Sequence, residues 1–288
     1  MKQSDKLSLI LRTLVWAAAI ATMAIVGLMI GYILIKGIPA LTPELFAWEY
    51  TSENGSLMSS LINTILMVIL TLLIAAPVGI FSAIYLVEYA KRGNKLVKVI
   101  RLTAETLSGI PSIVYGLFGY LFFVTALKWG YSLLAGAFTL AIMVLPLIMR
   151  TTEEALKSVP DSYREGSFGL GAGRLRTVFR IILPAATPGI LAGIILAIGR
   201  IVGETAALMY TAGTVAEVPR WTWTGHPLAD LVVPLFSSGS TLSVHMYRMS
   251  SEGLHIDTAY GTAVVLLVIV VGINALSSWT AKRLMKKH

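Results

Sequence analysis

The sequence contains no cysteine. Disulfide staples and thiolate chemistry are therefore excluded. Charge is scarce as well. Only 13% of the 288 residues are Asp, Glu, Lys or Arg, against about 25% in a soluble domain. The four histidines, His226, His245, His255 and His288, show no metal-ligand spacing. No G-x-x-x-x-G-K-[ST] stretch occurs, and G-x-G-x-x-G fails because Arg174 stands where the last glycine after Gly169 and Gly171 belongs. The chain thus lacks a phosphate cradle of its own. No nucleophile–base constellation stands out either, so neither a catalytic activity nor a cofactor is expected.

What the chain has in excess is apolar length. It is 56% hydrophobic, with a mean hydropathy of +0.78. Six charge-free windows lie within Thr13–Ile35, Leu61–Val87, Thr106–Leu127, Trp129–Met149, Ile181–Gly199 and Thr258–Ala281. Crossing a bilayer takes roughly 20 apolar residues, and a lone span must satisfy its own backbone hydrogen bonds, which a helix does. The expected fold class is an all-α membrane protein with six transmembrane helices. Lys2, Lys6 and Arg12 precede the first window, as in a signal peptide. Its apolar stretch exceeds the roughly 7–15 residues of a signal core, so it reads as a retained span. The fifth is expected to continue to Met209, across Arg200 and Glu204.

The net charge of +8 is unevenly placed. With alternating spans and a cytoplasmic N-terminus, 18 of the 23 Lys and Arg fall on the cytoplasmic side. Lys36, Lys128, Arg220 and Arg248 fall outside, and Arg200 lies within a span. That asymmetry follows the positive-inside rule and puts both termini in the cytoplasm. It argues against nucleic acid as a partner. The tail Lys282–His288 is expected to sit at anionic membrane lipids.

Residues 1–288 read as one transmembrane domain with two longer connections. The external one, 210–257, holds Trp221 and Trp223, suited to an interfacial belt, and "PLADLVVPLF" (Pro227–Phe236), too short to span. Its histidines read as solvated. Tyr115 and Tyr120 in the third window read as packing aromatics. The cytoplasmic connection, 150–184, contains "REGSFGLGAGRLRTVFRIILPAA" (Arg164–Ala186). Pro160 ends the helix before it. Ser162 and Glu165 have capping-box spacing, which starts a new helix. Gly169–Gly173 turn the chain, and a second short helix follows over Arg174–Leu183, from which Pro184 leads into the fifth span. The product is a helix–turn–helix knob.

That knob resembles the cytoplasmic signature of permease subunits of ATP-binding-cassette importers: E-A-A, three residues, Gly, nine residues, I-x-L-P. Glu165-Gly166-Ser167 stands for E-A-A, Gly171 follows after three residues, and nine more lead to Ile181-Ile182-Leu183-Pro184. Gly166 and Ser167 depart from the pattern but remain small. The resemblance implies a MetI-like type I importer fold. The knob would be a coupling helix docked on an ATPase chain through Glu165, Gly166, Ser167, Gly171, Leu183 and Pro184. Hydrolysis would reside on that partner.

"GIPSIVYGLFG" (Gly109–Gly119) and "GRIVGETAALMYTAG" (Gly199–Gly213) resemble the phosphate-specific branch, and the short N-terminal region its A-type subunit. This implies a C-type phosphate permease, two cytoplasmic ATPases and an external phosphate-binding protein as partners. Physical reasoning points the same way. An intramembrane arginine costs roughly 2.5–3.5 kcal/mol on insertion scales and binds an oxyanion bidentately. Arg200 and Glu204, four apart, are expected on one helical face, either as a structural tie or as a pair that opens to admit the anion. Thr205 adds a hydroxyl, which such residues commonly turn on their own backbone. Two rivals stand beside this reading: an importer of another oxyanion such as molybdate or sulfate, and a scaffold that relays phosphate status to a signalling partner.

Overall fold

The structure, a computed structural model, describes residues 2–51, 54–91, 93–221, 226–253 and 255–285. Twelve α-helices and no strand occur among them. In chain order they are α1 (Lys2–Gly37), α2 (Met58–Ile84), α3 (Lys95–Ser108), α4 (Ser112–Gly119), α5 (Leu133–Ser158) and α6 (Asp161–Gly169). There follow α7 (Arg174–Thr177), α8 (Leu183–Gly203), α9 (Ala206–Thr211), α10 (Pro227–Val232), α11 (Leu242–Glu252) and α12 (Ile256–Met285). Three π-helical turns extend them, Tyr85–Tyr89 after α2, Tyr120–Ala126 after α4 and Val178–Ile182 between α7 and α8. Five helical runs are long and apolar enough to cross a membrane, and the bent pair α3–α4 makes a sixth if taken as one span.

α5 is the central post. Leu140, Met143, Val144 and Ile148 along it are buried against α2, α8 and α9. A second cluster, with Leu156, Ala83, Leu86, Val178 and Ile182, closes the knob end of the bundle. α1 lies at the other extreme. Its residues from Leu7 to Ile30 are exposed, and its last turns reach α12, where the Tyr32 and Tyr260 rings meet edge-on at 5.9 Å. An all-round apolar, uncovered helix suits lipid on every side.

The third window departs from the expected single span. α3 and α4 meet at 103° across Gly109-Ile110-Pro111. Pro111 has no amide to continue the ladder and biases Ile110 away from helix. The first residues of that window belong instead to α3, an amphipathic helix whose Lys95, Lys98, Arg101 and Glu105 keep its earlier turns outside any charge-free window. The fifth window departs too. α8 stops at Gly203, Glu204 is extended (φ −75°, ψ 126°), and the chain restarts as α9.

In the knob, α6 begins at Asp161 with Pro160 before it and no side-chain cap, so Ser162 lies inside the helix and the Ser162–Glu165 box does not form. Gly171 makes the turn at φ +80°, a region that costs other residues roughly 1–2 kcal/mol. The second helix does not end at Leu183. α7 passes through the π-helical turn straight into α8, and Pro184 sits at the opening of α8, where its missing amide is tolerated.

On the opposite end, Pro227–Phe236 forms α10 and one 3-10 turn, short of a span as expected. Phe236 meets Trp129 at 5.7 Å. Trp221 is exposed, and Trp223 lies outside the described residues, as do Lys286, Lys287 and His288 of the tail. Tyr115 is buried and donates its hydroxyl to the Leu107 carbonyl at 2.7 Å. Tyr120 packs on the Tyr131 ring at 5.9 Å.

Candidate functional site

Arg200 stands in the last turn of α8 and is half-buried. It lines a cavity of about 510 Å³ between α3, α5 and α8. The charged groups around that cavity are Arg101 and Glu105 of α3, Arg150, Glu153, Glu154 and Lys157 of α5, and Arg200. Most of them are neutralised locally. Glu153 Oε1 accepts from Arg101 Nη2 at 2.7 Å and from Lys157 Nζ at 2.6 Å. Glu154 Oε1 accepts from Arg150 Nε at 3.1 Å. Arg200 makes no hydrogen bond or ion pair among the described residues. The cavity therefore carries four cations to three carboxylates, with an unpaired guanidinium at its α8 wall. A tetrahedral or planar oxyanion is the ligand such a wall favours. The Lys157–Glu153 spacing was readable along one helix. Arg101 comes from a different helix, and no local pattern links it to Glu153.

Glu204 and Thr205 lie elsewhere than a continuous helix would put them. The break after Gly203 takes Glu204 off the helical face that Arg200 occupies. Glu204 is 9% exposed, and its Oε1 accepts from the Ala207 amide at 3.0 Å. It caps α9, where the open amides and the helix dipole favour a carboxylate. Its own carbonyl accepts from Ser243 Oγ at 2.6 Å, which ties the break to α11. The Thr205 hydroxyl is half-buried and makes no hydrogen bond among the described residues, against the expected bond to its own backbone.

In the knob, Glu165 and Gly166 face outward. A side chain added at Gly166, Gly169 or Gly173 would meet nothing within 4 Å, so these glycines serve no packing inside the chain. Ser167 is buried, and its hydroxyl lies 2.8 Å from that of Thr177, joining α6 to α7. Leu170 is 91% exposed, with Tyr163, Phe168 and Leu175 also exposed around it. Such an apolar outer surface on a polar knob marks an interaction face. Leu183 and Pro184 are half-buried at the root of α8, away from the tip. Arg164 is turned inward and held by four residues of this chain.

One histidine corrects the expectation of a solvated loop. His245 in α11 is fully buried, its ring edge-on to Tyr50 at 6.4 Å and Nδ1 3.4 Å from Thr262 Oγ1. Burial, then the positive charge of Arg248, lowers its pKa to about 4, opposed by the Gly55 backbone. The unfolded chain takes up this proton near pH 6.5, so the fold loses stability as pH falls from 6.5 toward 4 and the loss levels off below. At pH 5 the loss at this group is about 2 kcal/mol. Thermal unfolding of the solubilised chain should show that decline, and His245→Asn should flatten it. An equal decline in the variant would assign it to other groups.

A bundle of apolar spans around a charged cavity, with a helical knob at one end, defines a membrane transport subunit. The chain belongs to the family described as "binding-protein-dependent transport system inner membrane component", whose model matches residues 75–287. It is therefore a multi-pass inner-membrane protein. It is 36% identical over 277 residues to the probable ABC transporter permease protein YqgI of Bacillus subtilis, covering 94% of this chain and 93% of that one. It is 33% identical over 276 residues to phosphate transport system permease protein PstA 2 of Mycobacterium bovis, covering 93% and 88%. Among solved structures, an inward-facing methionine ABC transporter superposes with a TM-score of 0.58 at 19% identity, over 79% of this chain and 94% of that one. A bacterial alginate ABC transporter in complex with a periplasmic protein gives 0.59 at 16% identity, over 92% and 94%.

Proposed function

We propose that this chain is the PstA-like permease of an ATP-driven importer of inorganic phosphate. The observation that carries the substrate class is the unpaired Arg200 guanidinium on the wall of the α3–α5–α8 cavity. Relatives named as phosphate permeases, spread over several bacteria, support phosphate as the oxyanion. In this reading a PstC-like permease completes the translocation path. One of the two ATPase subunits grasps the knob through Glu165, Gly166, Gly171 and the exposed Leu170 beside them, with Ser167 holding its two helices together. Leu183 and Pro184 carry the movement into α8. A phosphate-binding protein delivers its cargo at the opposite face. The knob and both termini lie in the cytoplasm, where the distribution of Lys and Arg puts them.

Glu204 holds α9 while Arg200 is free to meet the anion, and Thr205 offers a hydroxyl close by in sequence. The test is reconstitution of this chain with its companion permease, ATPase and binding protein in proteoliposomes. ATP-dependent uptake of labelled phosphate that excess sulfate or molybdate does not suppress is expected. Uptake of sulfate or molybdate with none of phosphate would keep the coupling and overturn the substrate.

A further inference from the structure

The chain itself fastens the knob to the bundle at both ends. α5 leads into α6 through the extended pair Val159-Pro160, and α7 leads into α8 through the π-helical turn Val178–Ile182. A third fastening is the side chain of Arg164 in α6. Its Nη1 donates to the Val159 carbonyl at 2.8 Å and to Asp161 Oδ1 at 3.1 Å. Nη2 donates to the Leu156 carbonyl at 2.9 Å and to Glu88 Oε1 at 2.7 Å, and Nε donates to the same Oε1 at 3.2 Å. A guanidinium has five N–H groups, and all five are engaged. Arg164 is 16% exposed and Glu88 is 8% exposed.

Apart from Asp161, which lies in α6 itself, these partners belong to two spans. Leu156 and Val159 bear carbonyls at the end of α5, where a helix leaves acceptors open. Glu88 lies in the π-helical turn that ends α2. The adjacent Tyr89 receives Arg174 of α7 over its ring at 5.9 Å. Ser167 and Thr177 bridge the two knob helices. Both halves of the knob thus hold the last turn of α2, and α6 also holds α5. The cavity has α5 as one wall and α8, bearing Arg200, as another. A knob held by backbone alone reaches α5 only through the non-helical pair Val159-Pro160, which can swivel, and does not hold α2. A knob clamped across that pair and onto α2 moves these helices in concert.

We infer that Arg164 is a positioning residue for transport, the joint that makes α2 travel with the knob and stiffens the α5–α6 connection when the ATPases move it. This rests on the reading of the knob as the ATPase handle. Arg164→Lys and Glu88→Gln test it, because the first removes the five-donor fork and the second removes the charge that the fork clamps. The complete transporter in proteoliposomes is assayed for phosphate carried per ATP hydrolysed, with ATPase co-purification as the check on assembly. Assembly and hydrolysis within twofold of wild type, with at least a tenfold lower ratio, is the expected result. An unchanged ratio, or uptake and hydrolysis falling together with assembled protein, would make Arg164 a structural clamp and overturn the inference.

A distance readout separates this inference from the choice of substrate. The natural absence of cysteine permits spin labels at Lys91→Cys, beyond α2, and Ser162→Cys, on α6. With Arg164 present their separation should stay constant between ATP-free and ATP-bound complexes. It should change with ATP in Arg164→Lys. Equal behaviour of the two proteins overturns the joint even if phosphate transport itself is confirmed. A wild-type complex that keeps the constant distance but carries no phosphate overturns the substrate alone.

Discussion

Arg200→Gln is expected to abolish phosphate uptake while membrane insertion, assembly with the ATPase and ATP hydrolysis persist. The two halves of that result have separate causes. Arg200 has no ion-pair or hydrogen-bond partner among the described residues, so its removal strands no buried opposite charge. An arginine deep in a span costs roughly 2.5–3.5 kcal/mol on insertion scales, and a neutral amide of similar length relieves that cost. The fold should therefore be no less stable. The anion loses what it needs. Charge-assisted hydrogen bonds contribute about 1.5–3 kcal/mol each, and losing a bidentate pair weakens the anion's hold in the cavity by two orders of magnitude or more. Arg200→Lys keeps the charge but not the planar fork, and should retain partial uptake. Uptake at the wild-type rate by a well-expressed Arg200→Gln variant would remove Arg200 from the path.

The neighbouring charges explain why Arg200 in particular is available. Arg101 and Lys157 share Glu153, and Arg150 has Glu154. An anion drawn into the cavity meets the paired groups, the carboxylate of Glu105, and one guanidinium with no carboxylate partner, that of Arg200. The same geometry removes Glu204 from the role of standing counter-ion. In this conformation its carboxylate is engaged with the Ala207 amide. A competition between anion and Glu204 for the arginine would first have to give up that cap.

What could be read from the chain depended on the range of the forces involved. The spans α1, α2, α5 and α12 were legible because a charge-free run of bilayer length has few alternatives in water or lipid. The knob was legible because glycines, a proline and a fixed spacing are local features. Two misreadings came from treating apolar windows as continuous. Pro111 signals a break, yet the window Thr106–Leu127 reads straight through it. The stop at Gly203 leaves even less trace, since Glu204 and Thr205 resemble an interior turn as much as a cap. Arg164 and Glu88 are 76 positions apart, and Arg101 and Glu153 belong to separate helices. Only the folded chain brings such pairs together. His245 was misread for the same reason: a loop that lies far from a span in sequence can still be packed beneath its neighbours.

Gly116→Val is expected to be strongly damaging for so conservative-looking a substitution. A Cβ at Gly116 would stand 2.8 Å from the Ala207 Cα and 3.3 Å from the carbonyl oxygens of Ala206 and Ala207. All three are backbone atoms, so no side chain can rotate aside. α4 and α9 approach this closely because glycine leaves room, the usual device where lipid supplies no drive for helix association. Overpacking costs about 1–3 kcal/mol where neighbours can adjust, occasionally more where they cannot. Here the neighbour is fixed at its start by the Glu204 cap and through Glu204 to Ser243. Pushing α9 away also displaces the break that follows Arg200. The variant should therefore lose both thermal stability in detergent and uptake, with Gly116→Ala between it and wild type. Gly109→Ala is the internal control, since its Cβ would meet only the Thr106 carbonyl at an ordinary 3.5 Å. If Gly116→Val melts and transports like wild type, α4 and α9 do not stay in contact in the membrane. The helix break would then need another support than the one this packing provides.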